Sequence, residues 1–160
     1  MLLDAIDCLL LNRLQRDATM PLTAVAEEAG IRADAVTERL GRLASLGIIE
    51  GQVAMVDNEK VGLPLTVFIH LQVDHPGADT SRVLARLAED IPEIMEFYGV
   101  AGGGAYIMKL IVANAADQAR ITARFHNELA AKGITATLSA SITEEKLKFT
   151  TQLPIQPQAG

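Results

Sequence analysis

Between residues 65 and 142 the spacing of apolar residues switches repeatedly between a strand period and a helix period, and the order of those switches leaves few folds open. Residues 65–74 alternate Val67, Ile69, Leu71 and Val73 against Phe68, His70 and Gln72, the two-residue period of a strand buried on one face. His75-Pro76-Gly77 closes that strand, and residues 81–90 turn to helical spacing through Val83, Leu84, Leu87 and Ala88 before Pro92. Strands follow over 94–101 and 106–113, separated by Gly102-Gly103-Gly104; a helix is expected over 115–132, ending at Gly133, and a last strand over 134–142. Strand, helix, strand, strand, helix, strand is the ferredoxin-like split βαβ order, with both helices on one face of an antiparallel sheet. The opposite face is left bare, and a second subunit is the expected cover.

The residues before this block read as three helices. Leu3, Ile6, Leu10 and Leu14 recur at helical spacing over 3–18, and Pro21 stops the run. A second helix is expected over 23–29, capped by Thr23 and closed by Gly30. A third begins near Ala33 or Asp34, carries Val36, Leu40, Leu43 and Leu46 inward and Asp34, Thr37, Glu38, Arg39 and Arg42 outward, and stops at Gly47. Helix, short turn, helix, glycine is helix-turn-helix grammar. The β-branched run 48–58 reads as a short strand or wing, and Gly62-Leu63-Pro64 marks a boundary. The fold class is therefore α+β: a winged helix-turn-helix over 1–62 and a ferredoxin-like βαββαβ domain over 63–155, with residues 154–160 a flexible terminus.

Composition narrows the function classes. The chain is 49% hydrophobic but only 4% aromatic, which suits close helix packing and self-association better than an aromatic ligand cage. Cys8, the only cysteine, sits at a core spacing among leucines and has no intrachain partner, as in a reducing compartment. Charged residues interrupt the leucines at the N-terminus and no apolar run reaches membrane-spanning length, so a cytoplasmic protein without membrane contact is expected. No Cys/His nucleophile set, CxxC pair or phosphate-binding loop is present, and neither a cofactor nor a metal is expected.

A helix-turn-helix points to double-stranded DNA. Its second helix would place Arg32, Ala33, Asp34, Thr37 and Glu38 over base edges, with Arg39 and Arg42 nearer phosphates or neighbouring acids. The plainer alternative is a solvated face laced with i,i+4 pairs such as Glu38 with Arg42. Residues 1–62 hold six basic against ten acidic side chains, so one dimer should bind DNA weakly and useful affinity needs several heads on one oligomer. Asp34 is a candidate cap for the third helix, which would turn its carboxylate away from DNA. The three glycines at 102–104 either bind a carboxylate through bare backbone N–H groups or form a hairpin turn needing positive φ.

Several separated motifs stand together in the first half: Leu3-Asp4-x-x-Asp7, then Glu38-Arg39-Leu40-x-Arg42-Leu43, then Leu46-Gly47-Ile48-Ile49. In the second half they are Glu96-x-Tyr98-x-Val100-x-Gly102, Tyr106-x-x-Lys109 and Lys148-x-x-Thr151-x-Leu153-Pro154-Ile155. Together they resemble the Lrp/AsnC (leucine-responsive, asparagine-responsive, feast/famine) family of regulators, the second set its effector-binding RAM domain. The resemblance implies a transcription factor that forms homodimers through its C-terminal sheets, often assembling to octamers, with amino acids or related metabolites as effectors. Arg32 stands where the family commonly has Ser, and Ala105 where it commonly has Asp. Ser141, Ile142 and Thr143 match family positions implicated in the response and, with Gly102, Gly103, Gly104 and Ala105, form the candidate effector site. Two alternatives share the architecture: an interaction subunit that modulates relatives without strong DNA binding, and a siroheme-decarboxylase-like enzyme. The latter relies on histidines, which here are His70, His75 and His126, without acid-base or metal-ligand spacing.

Overall fold

The computed structural model describes residues 3–157 and divides into two compact units, one made of the chain up to Met55 together with the tail from Leu147, the other of Val56–Lys146. These units differ from a cut at residue 62, because the last stretch of chain belongs to the N-terminal unit. That unit is called the head below, and the other the sensor.

In the head, α1 (Ala5–Leu14) opens on a capping box: Asp4 accepts from the Asp7 N–H at 2.7 Å, and Asp7 from the Asp4 N–H at 3.4 Å. The helix stops at Leu14, short of the expected residue 18, and Asp17 then closes a local turn by accepting from the N–H and hydroxyl of Thr19. In α2 (Leu22–Ala29) the N-cap is Pro21 with no side-chain bond, so Thr23 lies inside the helix and does not cap it. Gly30, at φ 66°, ends α2 in the left-handed conformation. In α3 (Ala33–Ser45) the N-cap is Arg32, again without a side-chain bond. Leu10, Val25, Ala26 and Val36 pack the three helices together, with Ile6, Leu9 and Leu40 at the margin.

Two further expectations for the head fail. Residues 48–56 form no strand, and Val53, Met55 and Val56 stand 86, 62 and 66% exposed. β propensity alone does not make a strand, which needs a neighbouring edge, and one chain offers none here. The tail is not loose at its start: Asn12 donates to the Ile155 carbonyl at 3.0 Å, and Gln15 exchanges two bonds with the Leu153 backbone. Residues 158–160 of the expected flexible terminus lie outside the described residues.

The sensor follows the predicted order: β1 (Leu65–Val73), α4 (Thr80–Glu89), β2 (Ile94–Val100), β3 (Ala105–Val112), α5 (Ala115–Ala131) and β4 (Ala136–Ile142). The sheet is antiparallel in the order β2-β3-β1-β4, the ferredoxin-like arrangement. Val67, Ile69, Leu71 and Val73 of β1 are buried with Met108, Leu110 and Val112 of β3 beneath Leu84, Leu87, Ile121, Phe125 and Leu129 of the two helices. Phe97 stacks edge-on against Phe125 at 6.0 Å, and the Tyr106 hydroxyl hydrogen-bonds with that of Ser81 at 2.9 Å. Phe68, His70 and Gln72 point to the other face, which no element of the sensor covers.

Candidate functional site

Helix α3 is built to present one face outward. Val36 and Leu43 are wholly buried, so the residues between them fix the helix's rotation and leave Asp34, Thr37, Glu38 and Gly41 along one exposed stripe. Ala33 sits half-buried against the head core and does not share that stripe. Arg32 and Asp34 are exposed and bind each other through two bonds, at 3.0 and 2.7 Å; Asp34 also accepts from the Ala35 N–H at 2.8 Å. Asp34 is thus the second residue of the helix, held by Arg32 and the helix's own backbone, and not its cap. Gly41 escaped the sequence reading although its helical spacing from Thr37 and Glu38 marks it. A glycine costs about 1 kcal/mol in a helix interior relative to alanine, and on this stripe it leaves space for close approach of a partner.

Arg39 and Arg42 reach the neighbouring acids of α1. Arg39 donates to Asp4 at 2.7 Å and to Asp7 at 2.8 Å, and Arg42 donates to Asp7 at 2.6 Å. Asp7 is 1% exposed, and this pair of guanidinium groups is what allows a carboxylate to be buried there. Burial pushes the Asp7 carboxyl up, but the hydrogen bonds from Arg42, Arg39 and the Asp4 N–H outweigh it and hold it below the ordinary range. The Asp7 N–H, followed by Arg39, holds Asp4 down likewise. The motif pairs Asp4-x-x-Asp7 and Arg39-x-x-Arg42 therefore interlock α1 with α3, and their first role is to set the reading helix at a fixed angle.

In the sensor, Gly102, Gly103 and Gly104 turn between β2 and β3 at φ 131°, 71° and 87°. At Gly104 a Cβ would meet the Val73 carbonyl oxygen at 2.5 Å, so this position admits only glycine. The Gly104 carbonyl accepts from the Val73 N–H at 2.8 Å and the Gly103 carbonyl from Gln72 at 3.2 Å. The positive-φ hairpin reading is therefore correct for these residues, and their own N–H groups meet no acceptor among the described residues.

One chain does not bring the candidate effector residues together. Ala105 pairs with Gln72, which pairs with Thr137, whereas Ser141 pairs with Phe68, four residues along the same strand, or about 13 Å. Ile142 pairs with Val67, and Thr143 binds the Thr66 carbonyl through both its N–H and its hydroxyl at 3.0 Å. The glycine turn and the end of β4 thus occupy opposite ends of the sheet. The sensor's cleft of about 570 Å³ lies elsewhere, between α5 and β4, lined by Thr122, His126 and Leu138. On the uncovered face Glu96 accepts from Lys109 at 2.7 Å and from the Tyr98 hydroxyl at 3.0 Å. The Lys109 bond holds the Glu96 carboxyl below its ordinary range. Glu96 and Tyr98 belong to one motif and Lys109 to another, and the pairing of β2 with β3 brings them together. His70 lies on this face, His75 in the turn after β1 and His126 on α5.

Both units match known families. Residues 3–44 match the AsnC-type helix-turn-helix domain, and residues 66–150 the Lrp/AsnC ligand binding domain. The DNA-binding transcriptional activator DecR of Escherichia coli is 34% identical over 155 residues, covering 97% of this chain and 100% of that protein. An AsnC family transcriptional regulator from Agrobacterium tumefaciens superposes with a TM-score of 0.84 at 26% identity, over 95% of this chain and 97% of that one. A Neisseria meningitidis transcriptional regulator solved with L-Met shares the fold, with a TM-score of 0.82 at 21% identity over 95% and 96% of the two chains. With a helix-turn-helix head, a ligand-binding sensor and relatives matched along nearly its whole length, the chain belongs to the Lrp/AsnC family of DNA-binding transcriptional regulators.

Proposed function

We propose that this regulator works in the cytoplasm as an assembly: copies associate through the uncovered sheet face, their heads engage double-stranded DNA together, and a small metabolite of the amino-acid class adjusts the assembly. The observation that carries this reading is the uncovered face itself. Phe68, Tyr98 and Val100 stand 36, 57 and 42% exposed around the half-buried Ile107 and Ile111, apolar residues that share this face with the Glu96–Lys109 pair and His70 and favour association. A homodimer covers it by two-fold symmetry, and dimers joined as far as an octamer multiply the heads. Multiplication matters because Arg39 and Arg42 are committed to Asp4 and Asp7, so each head contributes few phosphate contacts of its own.

The effector reading follows the same logic. A site using both Gly102–Ala105 and Ser141–Thr143 takes its two halves from different copies, so ligand binding and assembly are linked. The glycine N–H groups suit a ligand carboxylate, and the L-Met complex of the Neisseria regulator supports the amino-acid class. Sedimentation of the full chain at micromolar concentration, with and without each of the twenty amino acids at millimolar concentration, tests both claims. A dimer or larger species whose size or melting temperature responds to at least one amino acid is expected. A monomer overturns the assembly, and indifference to all twenty overturns the effector class.

A further inference from the structure

The head holds six cationic side chains among its described residues, and four of them are occupied by carboxylates. Arg13 holds Glu28, Arg32 holds Asp34, Arg39 holds Asp4 and Asp7, and Arg42 holds Asp7. The two others, Arg16 and Lys148, make no ion pair among the described residues, and both line the same cleft of about 320 Å³ between the end of α1 and the C-terminal tail. Asn12, Gln15, Thr150 and Gln152 complete a polar wall. Asp17 is engaged by Thr19, and Glu28 is bonded to Arg13 while lying within electrostatic reach of Arg16 without pairing with it.

The cleft is held open by the backbone of the tail. Gln15 accepts from the Leu153 N–H at 2.6 Å and donates to the Leu153 carbonyl at 3.2 Å, imitating a strand partner, while Asn12 holds the Ile155 carbonyl. The Thr150 hydroxyl accepts from the Gln152 N–H at 3.0 Å and keeps its own proton to donate. Two cations, a hydroxyl and side-chain amides thus line one wall, the donor types that a phosphate group accepts from. Arg16 also begins the turn that leads into α2, the helix that crosses the phosphate backbone in helix-turn-helix proteins.

We infer that Arg16 and Lys148 form a second DNA contact, in which the C-terminal tail supplies half of a clamp on a backbone phosphate. The inference rests on the DNA-binding reading of the chain. It explains how a head whose other cations are internally neutralised meets DNA, and it makes the tail, which follows the sensor in sequence, part of the reading surface.

The test compares the full-length wild type with R16Q/K148Q by fluorescence anisotropy, using a duplex from upstream of its own gene and an unrelated duplex of equal length. The two cations share one phosphate, and each lost phosphate contact reduces the magnitude of the slope of log K against log salt by about 0.9, so the double variant should lose about 0.9 on both duplexes. The advantage of the wild type should then be about 3.5-fold larger at roughly 50 mM than at roughly 200 mM salt. The charge-preserving R16K/K148R should keep the wild-type slope. Both side chains are exposed, so melting temperatures should agree. An unchanged slope in R16Q/K148Q overturns the inference, as does a loss confined to the upstream duplex. Inorganic phosphate that raises the melting temperature of the wild type alone, with equal DNA slopes, also overturns it and assigns the cleft to a free phosphorylated molecule. A wild type that binds neither duplex overturns the DNA-binding reading itself, and is thereby distinguished from failure of the clamp.

Discussion

The Asp7 carboxylate, on the first helix, accepts from the Arg42 guanidinium, on the third, at 2.6 Å while remaining 1% exposed. Arg39 completes the pair of donors around it. Removing Arg42 leaves the buried carboxylate to Arg39 alone, and replacing Asp7 takes the shared acceptor from both guanidinium groups, so each change costs about 1–3 kcal/mol. Asp7→Asn and Arg42→Ala should each lower the melting temperature of the head, and loss of DNA binding in Arg39 or Arg42 variants should track that unfolding. Circular dichroism melts beside binding isotherms check this. An Arg42→Ala protein with an unchanged melt and abolished binding would return Arg42 to the phosphates.

The same network sets an acid limit. Asp4 and Asp7 have folded-state pKa values below their unfolded ones, so their contribution is fully present above the unfolded value of about 3.9 and drains away as pH falls through the lowered folded values. Stability of the head should therefore decline as pH falls below about 5. Urea melts at successive pH values should show a smaller acid dependence in Asp7→Asn than in the wild type. Equal slopes for the two proteins would place the acid response in other carboxylates.

Neighbouring glycines of the sensor turn should respond unequally to alanine. Gly103→Ala adds a Cβ into open space and bears only the strain of φ 71°, on the order of 1 kcal/mol. Gly104→Ala bears similar strain and also drives the Cβ to 2.5 Å from the Val73 carbonyl, so the β1–β3 pairing must shift. Its loss should exceed that of Gly103→Ala by at least about 1 kcal/mol. Comparable urea midpoints for the two variants would show that the turn yields without disturbing β1.

What the sequence made legible follows from how local each signal is. The alternation of Val67, Ile69, Leu71 and Val73 specified both β1 and its buried face, because a two-residue period on a one-sided sheet has a single solution. The rotation of α3 was equally legible from Val36 and Leu43. Partnerships were not. Arg39 and Asp7 are 32 residues apart, and Gln15 and Leu153 are 138 apart, so no local spacing announces either. The run ending in Val53, Met55 and Val56 carries strand propensity, but propensity does not supply the missing neighbour. The candidate effector residues came from two motifs whose separation along the sheet depends on strand register, which only the folded chain discloses.

Gly41 and Asp34 share the exposed stripe of α3, and substitutions there should separate stability from DNA affinity. Gly41→Ala should stabilise the head by up to about 1 kcal/mol, since its Cβ meets nothing within 4 Å. If DNA approaches this stripe closely, the same methyl group should weaken binding despite the gain in stability. Asp34→Ala should do the opposite. It removes an acid that interacts favourably with the start of α3, at a cost below about 1 kcal/mol, and it releases Arg32 from a pair in which both side chains are largely exposed. Affinity for DNA should rise and its salt dependence steepen by about 1 if Arg32 takes up a phosphate. A variant that melts as the wild type does and binds DNA no better would take Asp34 and Arg32 off the reading surface, leaving Thr37 and Glu38 to carry whatever base recognition α3 provides.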